Sequence, residues 1–106
     1  MSAEQFPPQF LREMIEQLDA SIQELTRKEK GLAASLGSGR VAELREYWDQ
    51  VLSPEEEWEL KQSMDFRDRE LLWIWSRLRR ARTSRANAGE AYMRHLSPVA
   101  RINHKS

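Results

Sequence analysis

Apolar residues recur along the first third of the chain at alternating steps of four and three: Leu11, Ile15, Leu18, Ile22 and Leu25, then Leu32 and Leu36. The spacing predicts a long amphipathic helix carrying a heptad seam, broken only at position 29, where Glu29 stands. Pro7-Pro8 precede the pattern and are expected to block regular structure, because proline lacks an N–H and restricts its predecessor. Gly37-Ser38-Gly39 close it, since glycine takes the left-handed conformation after a helix at little cost.

A second, shorter helix is predicted from Val41, Leu44, Trp48 and Val51, ending at Leu52. Ser53-Pro54-Glu55-Glu56 then reads as a helix start: serine caps free N–H groups, proline suits the first helical position, and Glu56 completes a capping box. Glu55, Glu56 and Glu57 also complement the positive end of the helix dipole, which explains the carboxylate run without invoking a metal. The third helix is predicted over 54–95, with weak points at Ser63 and at Asn87-Ala88-Gly89. Its seam is Leu60, Met64, Leu71, Ile74, Leu78, Ala81, Ala88 and Tyr92, with Arg67 and Arg85 in the intervening positions. No segment shows the period of a strand. The fold expected is all-α: a helical hairpin or three-helix bundle with a long C-terminal helix. One helical domain over 10–96 is expected between flexible segments at 1–9 and 97–106.

The third helix is apolar on more than one side. Trp73 follows Leu71 by about 200° around a helix, so Leu72, Trp73 and Trp75 widen the apolar surface well past the seam. Such a helix must be covered on two sides. A second copy of the chain supplies the cover in an intertwined or coiled-coil-like homodimer, with Leu72, Trp73 and Trp75 at the interface and Arg77 and Arg80 beside them. Burial beneath the 41–52 helix is the alternative. The two seams carry matched defects in Glu29 and Arg85. These charges either reach solvent at the seam ends or meet as an ion pair, within the bundle or across a dimer.

Charge divides the chain. Residues 1–65 hold 14 acidic and 7 basic side chains (−7), and residues 66–106 hold 10 basic and 3 acidic (+7), so the whole is neutral. The halves are expected to answer each other in a hairpin or a head-to-tail dimer; the sharper reading is a basic C-terminal surface for nucleic acid or an acidic protein. Arg77, Arg79, Arg80, Arg82 and Arg85 point in nearly every direction on a helical wheel, unlike a helix dedicated to reading DNA. The absence of cysteine excludes disulfides and thiolate chemistry. The longest apolar run, Leu71-Leu72-Trp73-Ile74-Trp75, falls far short of the roughly 20 residues that span a bilayer, and no secretory leader opens the chain. A cytoplasmic protein without membrane contact is expected. His95 and His104 belong to no metal-binding pattern, and no phosphate loop or nucleophile–base pair is present, so neither metal nor cofactor is expected.

Leu11-Arg12, Ile15, Leu18-Asp19, Ile22, Leu25, Leu32-Ala33, Leu36-Gly37 and Arg40 together resemble the opening helix of the all-helical (AroQ-class) chorismate mutases. That resemblance, over about 30 residues, implies an intertwined helical dimer binding a small dianion between helices. Arg12 and Arg40 match one of the family's substrate-binding arginines and its lysine, and Arg85 is a further candidate anion-binding group. Glu29 stands where the family has its other arginine, and Thr83-xxx-Asn87 where it has Ser-xxx-Gln. The long first helix, the Gly39-Arg40-Val41-Ala42-Glu43-Leu44 turn and a last helix containing Asn87 also look like the small helical chaperones of flagellar and type III export. The function expected from the residues themselves is a non-catalytic interaction module. It would act as adaptor, chaperone or assembly factor, as a homodimer that engages another protein. A chorismate-mutase-like anion site and nucleic-acid binding through Arg77–Arg85 are the alternatives.

Overall fold

A computed structural model describes residues 6–96; residues 1–5 and the expected tail at 97–106, with His104, lie outside it. The described residues are helical almost throughout: α1 (Pro8–Leu36), α2 (Ser38–Trp48), α3 (Pro54–Ser63) and α4 (Phe66–Leu96). None of these helices is long and apolar enough to cross a membrane. Among the described residues the fold is all-α, with four helices where three were expected.

Each departure from the sequence reading has a local cause. α1 begins at Pro8 rather than after it. Proline at the first helical position loses nothing, because that N–H would have no helical partner, and the Pro7 carbonyl accepts the Leu11 N–H at 3.1 Å. α2 stops at Trp48, four residues before the expected end. Gln50 turns the chain with φ 60°. The Gln50 N–H then reaches the Tyr47 carbonyl, and the Val51 N–H reaches that of Glu46, both at 3.1 Å. This is a Schellman closure with glutamine where glycine is usual. Val51 is thereby carried off the helix and left 68% exposed.

The expected third helix is two helices. Ser53 starts α3 as its signature predicts: its hydroxyl accepts the Glu56 N–H at 3.2 Å, and its own N–H donates to Glu56 Oε1 at 3.0 Å. Those bonds hold the Glu56 carboxyl below its ordinary pKa. Met64 then adopts an extended backbone, and a second reciprocal cap opens α4. The Asp65 N–H donates to Asp68 Oδ2 and the Asp68 N–H donates to Asp65 Oδ1, each at 3.0 Å. Of the two weak points, the chain breaks just after Ser63, whereas α4 runs unbroken through Asn87-Ala88-Gly89. Gly89 is suited to its place because the Arg85 guanidinium lies where a side chain would begin, with Nη1 2.6 Å from an ideal Cβ.

The residues cluster into two compact units: one of Glu24–Leu78, the other of the chain ends up to Gln23 and from Arg79. The central unit is built on Leu44, Leu60, Leu71 and Trp75, with Leu32, Leu36, Val41, Tyr47, Trp48, Leu52, Met64 and Leu72 packed around them. Trp48 meets Trp75 edge to face at 6.0 Å, and the Arg45 guanidinium lies 3.9 Å from the Trp75 ring centroid. The terminal unit has a smaller core of Leu11, Ala88 and Ala91, flanked by Phe6, Met14, Ile15 and Tyr92. Along the α1 seam only Leu11 is fully buried; Ile15, Leu18, Ile22, Leu25, Leu32 and Leu36 are half-buried.

Two positions have positive φ, Gly37 at φ 91° with ψ 155° and Gln50 at φ 60°, and they should respond to substitution with opposite signs. Gly37→Ala forces a Cβ into a region essentially reserved for glycine and should cost about 1–3 kcal/mol. Gln50→Gly removes the strain of a side chain at positive φ at the end of α2 and should stabilise by about 0.5–1 kcal/mol, the gain reduced by the freer unfolded chain. Urea unfolding of the two variants beside the parent checks both signs.

Candidate interaction surface

α4 presents two faces with different chemistry. Leu71, Ile74, Trp75 and Leu78 are buried, and Asp68 at the start of the helix is only 2% exposed. On the opposite side Phe66 is 78% exposed and Trp73 is 56% exposed. Seven residues separate them, which brings them within about 20° of one another at about 100° per residue. Arg77 falls on the same stripe and places its guanidinium 5.5 Å from the Trp73 ring centroid. Arg69 and Arg80 flank the stripe, and both are exposed. The result is an aromatic strip edged by cations on the side of α4 turned away from the core.

The structure separates the three apolar residues assigned to an interface from sequence. Trp75 is 4% exposed and belongs to the central core, where its indole N–H has no hydrogen-bond partner among the described residues. Leu72 packs against the same core. This is the alternative reading, burial against α2, realised for two of the three. Trp73 alone keeps an open face.

The central unit also carries a cleft of about 360 Å³ between α2 and α3. Leu52 and Leu60 give it an apolar lining, and Glu43, Glu46, Glu56 and Glu59 surround it with carboxylates. Ser63 lies at its edge, where a polar junction locks the helices. There Arg40 Nε donates to Asp68 Oδ1 at 3.1 Å and one terminal nitrogen donates to Asp68 Oδ2 at 2.7 Å. The same nitrogen donates to the Ser63 carbonyl and hydroxyl oxygens, each at 3.1 Å, and Glu43 adds a carboxylate at 3.7 Å. The hydrogen bond from Arg40 holds the Asp68 carboxyl below its ordinary pKa against the opposing effect of burial. Reciprocally, the Asp68 hydrogen bond raises the pKa of Arg40.

The arginines proposed from sequence to bind an anion are all matched to carboxylates. Arg40 is held by Asp68 in the central unit. In the terminal unit Arg12 lies 4.0 Å from Glu16, and Arg85 Nε donates to Asp19 Oδ1 at 2.8 Å. Arg85 was expected either to reach solvent or to meet Glu29; within the chain it is partly exposed and pairs with Asp19, one residue past Leu18 and beside the seam rather than on it. With the two side chains 37% and 50% exposed, that pair contributes at most about 1 kcal/mol. Two further arginines of the C-terminal half are likewise engaged: Arg67 with Ser35 and Asp65, and Arg94 with Glu90. Among the described residues, no group of three or more His, Cys, Asp or Glu side chains is placed to hold a metal ion. No family model matches the chain, and no curated protein or solved structure is significantly similar to it.

The Arg40–Asp68 junction makes two measurable demands. Asp68→Ala strands a guanidinium that is only 21% exposed and should cost about 3 kcal/mol in urea unfolding, whereas Arg40→Lys, which keeps the charge and loses the fork, should cost less. Because the native Asp68 pKa is lowered, its contribution is complete above the ordinary aspartate range and is lost as pH falls through the native value. Asp68→Asn should therefore flatten the acid limb of the stability–pH curve below about pH 4.

Proposed function

We propose that this chain is a non-catalytic helical interaction module that associates with a second copy and, as a dimer, serves another protein as adaptor or assembly factor. The observation that carries this reading is the exposed strip of Phe66 and Trp73 with Arg77 against the indole, on the side of α4 opposite its core face. Aromatic residues and arginine are the types enriched at the centres of protein interfaces. A large exposed indole on a rigid helix presents contact area without an ordering cost when a partner arrives.

The half-buried α1 seam supports the same reading, because Ile15, Leu18, Ile22 and Leu25 retain apolar surface that intrachain packing does not cover. Internal matching of the arginines favours it over an anion site. Arg12, Arg40 and Arg85 each face a carboxylate, and a small dianion would have to displace those partners. The nucleic-acid reading rests on Arg77–Arg85, a group that shares Arg85 with the anion reading. Within that group Arg85 is paired with Asp19 and Arg77 lies against the Trp73 ring, which leaves fewer of its cations to neutralise phosphates.

Multi-angle light scattering at micromolar concentration should give a mass near twice 12.5 kDa. Trp73→Ala should shift the population to monomer, with a loss of roughly 2 kcal/mol in association, or about thirtyfold in Kd. Its helical circular dichroism should be unchanged, because Trp73 is not part of the core. A wild-type protein that stays monomeric would overturn the dimer.

A further inference from the structure

We infer that the aromatic–cationic strip of α4 docks into the glutamate-bordered cleft of a second copy of this chain, each copy offering both surfaces. The inference rests on the homodimer reading above and deepens it by naming the two surfaces that meet.

The argument is one of complementarity. The strip carries Phe66 and Trp73 between the cations Arg69 and Arg77. The cleft has the converse arrangement, an apolar lining of Leu52 and Leu60 surrounded by carboxylates. Burying Trp73 there covers apolar surface on both sides, and it brings each arginine toward a carboxylate rather than into an uncompensated site. The strip cannot occupy the cleft of its own chain, since Trp73 stands 56% exposed while the cleft is open. A volume of about 360 Å³ lies at the lower end of the range that accepts a small ligand, which suits one anchoring aromatic side chain rather than a whole folded element. A two-fold axis makes the contact twice, so a closed dimer satisfies both surfaces of both copies. The opposed charges of the two halves of the sequence then have a physical purpose: they specify which surface of one copy meets which surface of the next.

A charge swap tests this. Glu46→Lys/Glu59→Lys reverses the cleft without touching Glu56, which caps α3, or Glu43, which faces Arg40. Arg69→Glu/Arg77→Glu reverses the strip. Circular dichroism establishes that each variant is folded, and sedimentation or light scattering reads its mass. Each variant alone sets like charges against each other and should be monomeric, with Kd raised at least tenfold. Their equimolar mixture restores opposite charges at both contacts and should recover the dimer, and the wild-type dimer should weaken as salt rises. If the wild-type dimer forms, Trp73→Ala disrupts it and the charge variants leave it intact, this pairing of surfaces is wrong while the homodimer stands. A mixture that stays monomeric overturns the pairing as well. A monomeric wild type removes both.

Discussion

The central unit depends on one guanidinium. Arg40 leaves the first turn of α2 and reaches the end of α3 and the start of α4 together, through Ser63 and Asp68. Met64 takes an extended backbone there, so the last carbonyls of α3 and the first N–H groups of α4 lose helical partners at the same place. Arg40 supplies the Ser63 carbonyl, and Asp68, gripped by Arg40, accepts the Asp65 N–H in turn. A fork of donors in one plane meets four acceptors that lysine could not reach together. The orientation of α4 follows from this junction. With Asp68 turned inward, Leu71 and Trp75 fall on the core side, and helical geometry leaves Phe66 and Trp73 outside. The exposed strip is thus a consequence of the buried ion pair.

The helices were legible where short-range chemistry decides them. Ser53-Pro54-Glu55-Glu56 names its own cap, and Gly37 its own turn, because both signals lie within four residues of the structure they specify. The end of α2 carried no such mark, since nothing about glutamine announces a left-handed residue; the closing bonds to Tyr47 and Glu46 hold Gln50 there. The break before α4 was half legible. Ser63 showed as a weak point, but Asp65-Phe66-Arg67-Asp68 is a cap with aspartate at both ends, and its second aspartate is fixed by Arg40, 28 residues away. Periodicity carried straight across that gap because Leu60, Met64 and Leu71 keep helical spacing even though the helix does not.

The site was legible as residue types and illegible as partnerships. The surplus of apolar surface around Trp73 is a matter of counting positions on a wheel, whereas the choice between Trp73 and Trp75 for the core depends on where α2 lies. A pairing of Arg85 with Glu29 is one of two readings the sequence allows, drawn from the fact that both interrupt a seam. A long side chain is not confined to seam partners, and it reaches Asp19 on the flank. Of the glutamates of the cleft, Glu56 reads locally as part of the start of a helix, and it is that. Only the packing of α2 beside α3 turns Glu43, Glu46 and Glu59 into the border of a common hollow.

The four tryptophans divide the molecule optically. Trp75 lies in an apolar core beneath a guanidinium and beside the half-buried Trp48, whereas Trp58 and Trp73 stand 63% and 56% exposed. Buried indoles emit toward the blue and exposed ones toward the red, so the native fluorescence is a composite whose two components report on different events. Iodide, which reaches only exposed rings, subtracts the outer pair and leaves a signal from the packing of α2 against α4. The outer pair in turn registers whatever comes to rest on the open face of the protein. The chain thereby carries separate, native reporters of its folding and of its encounters.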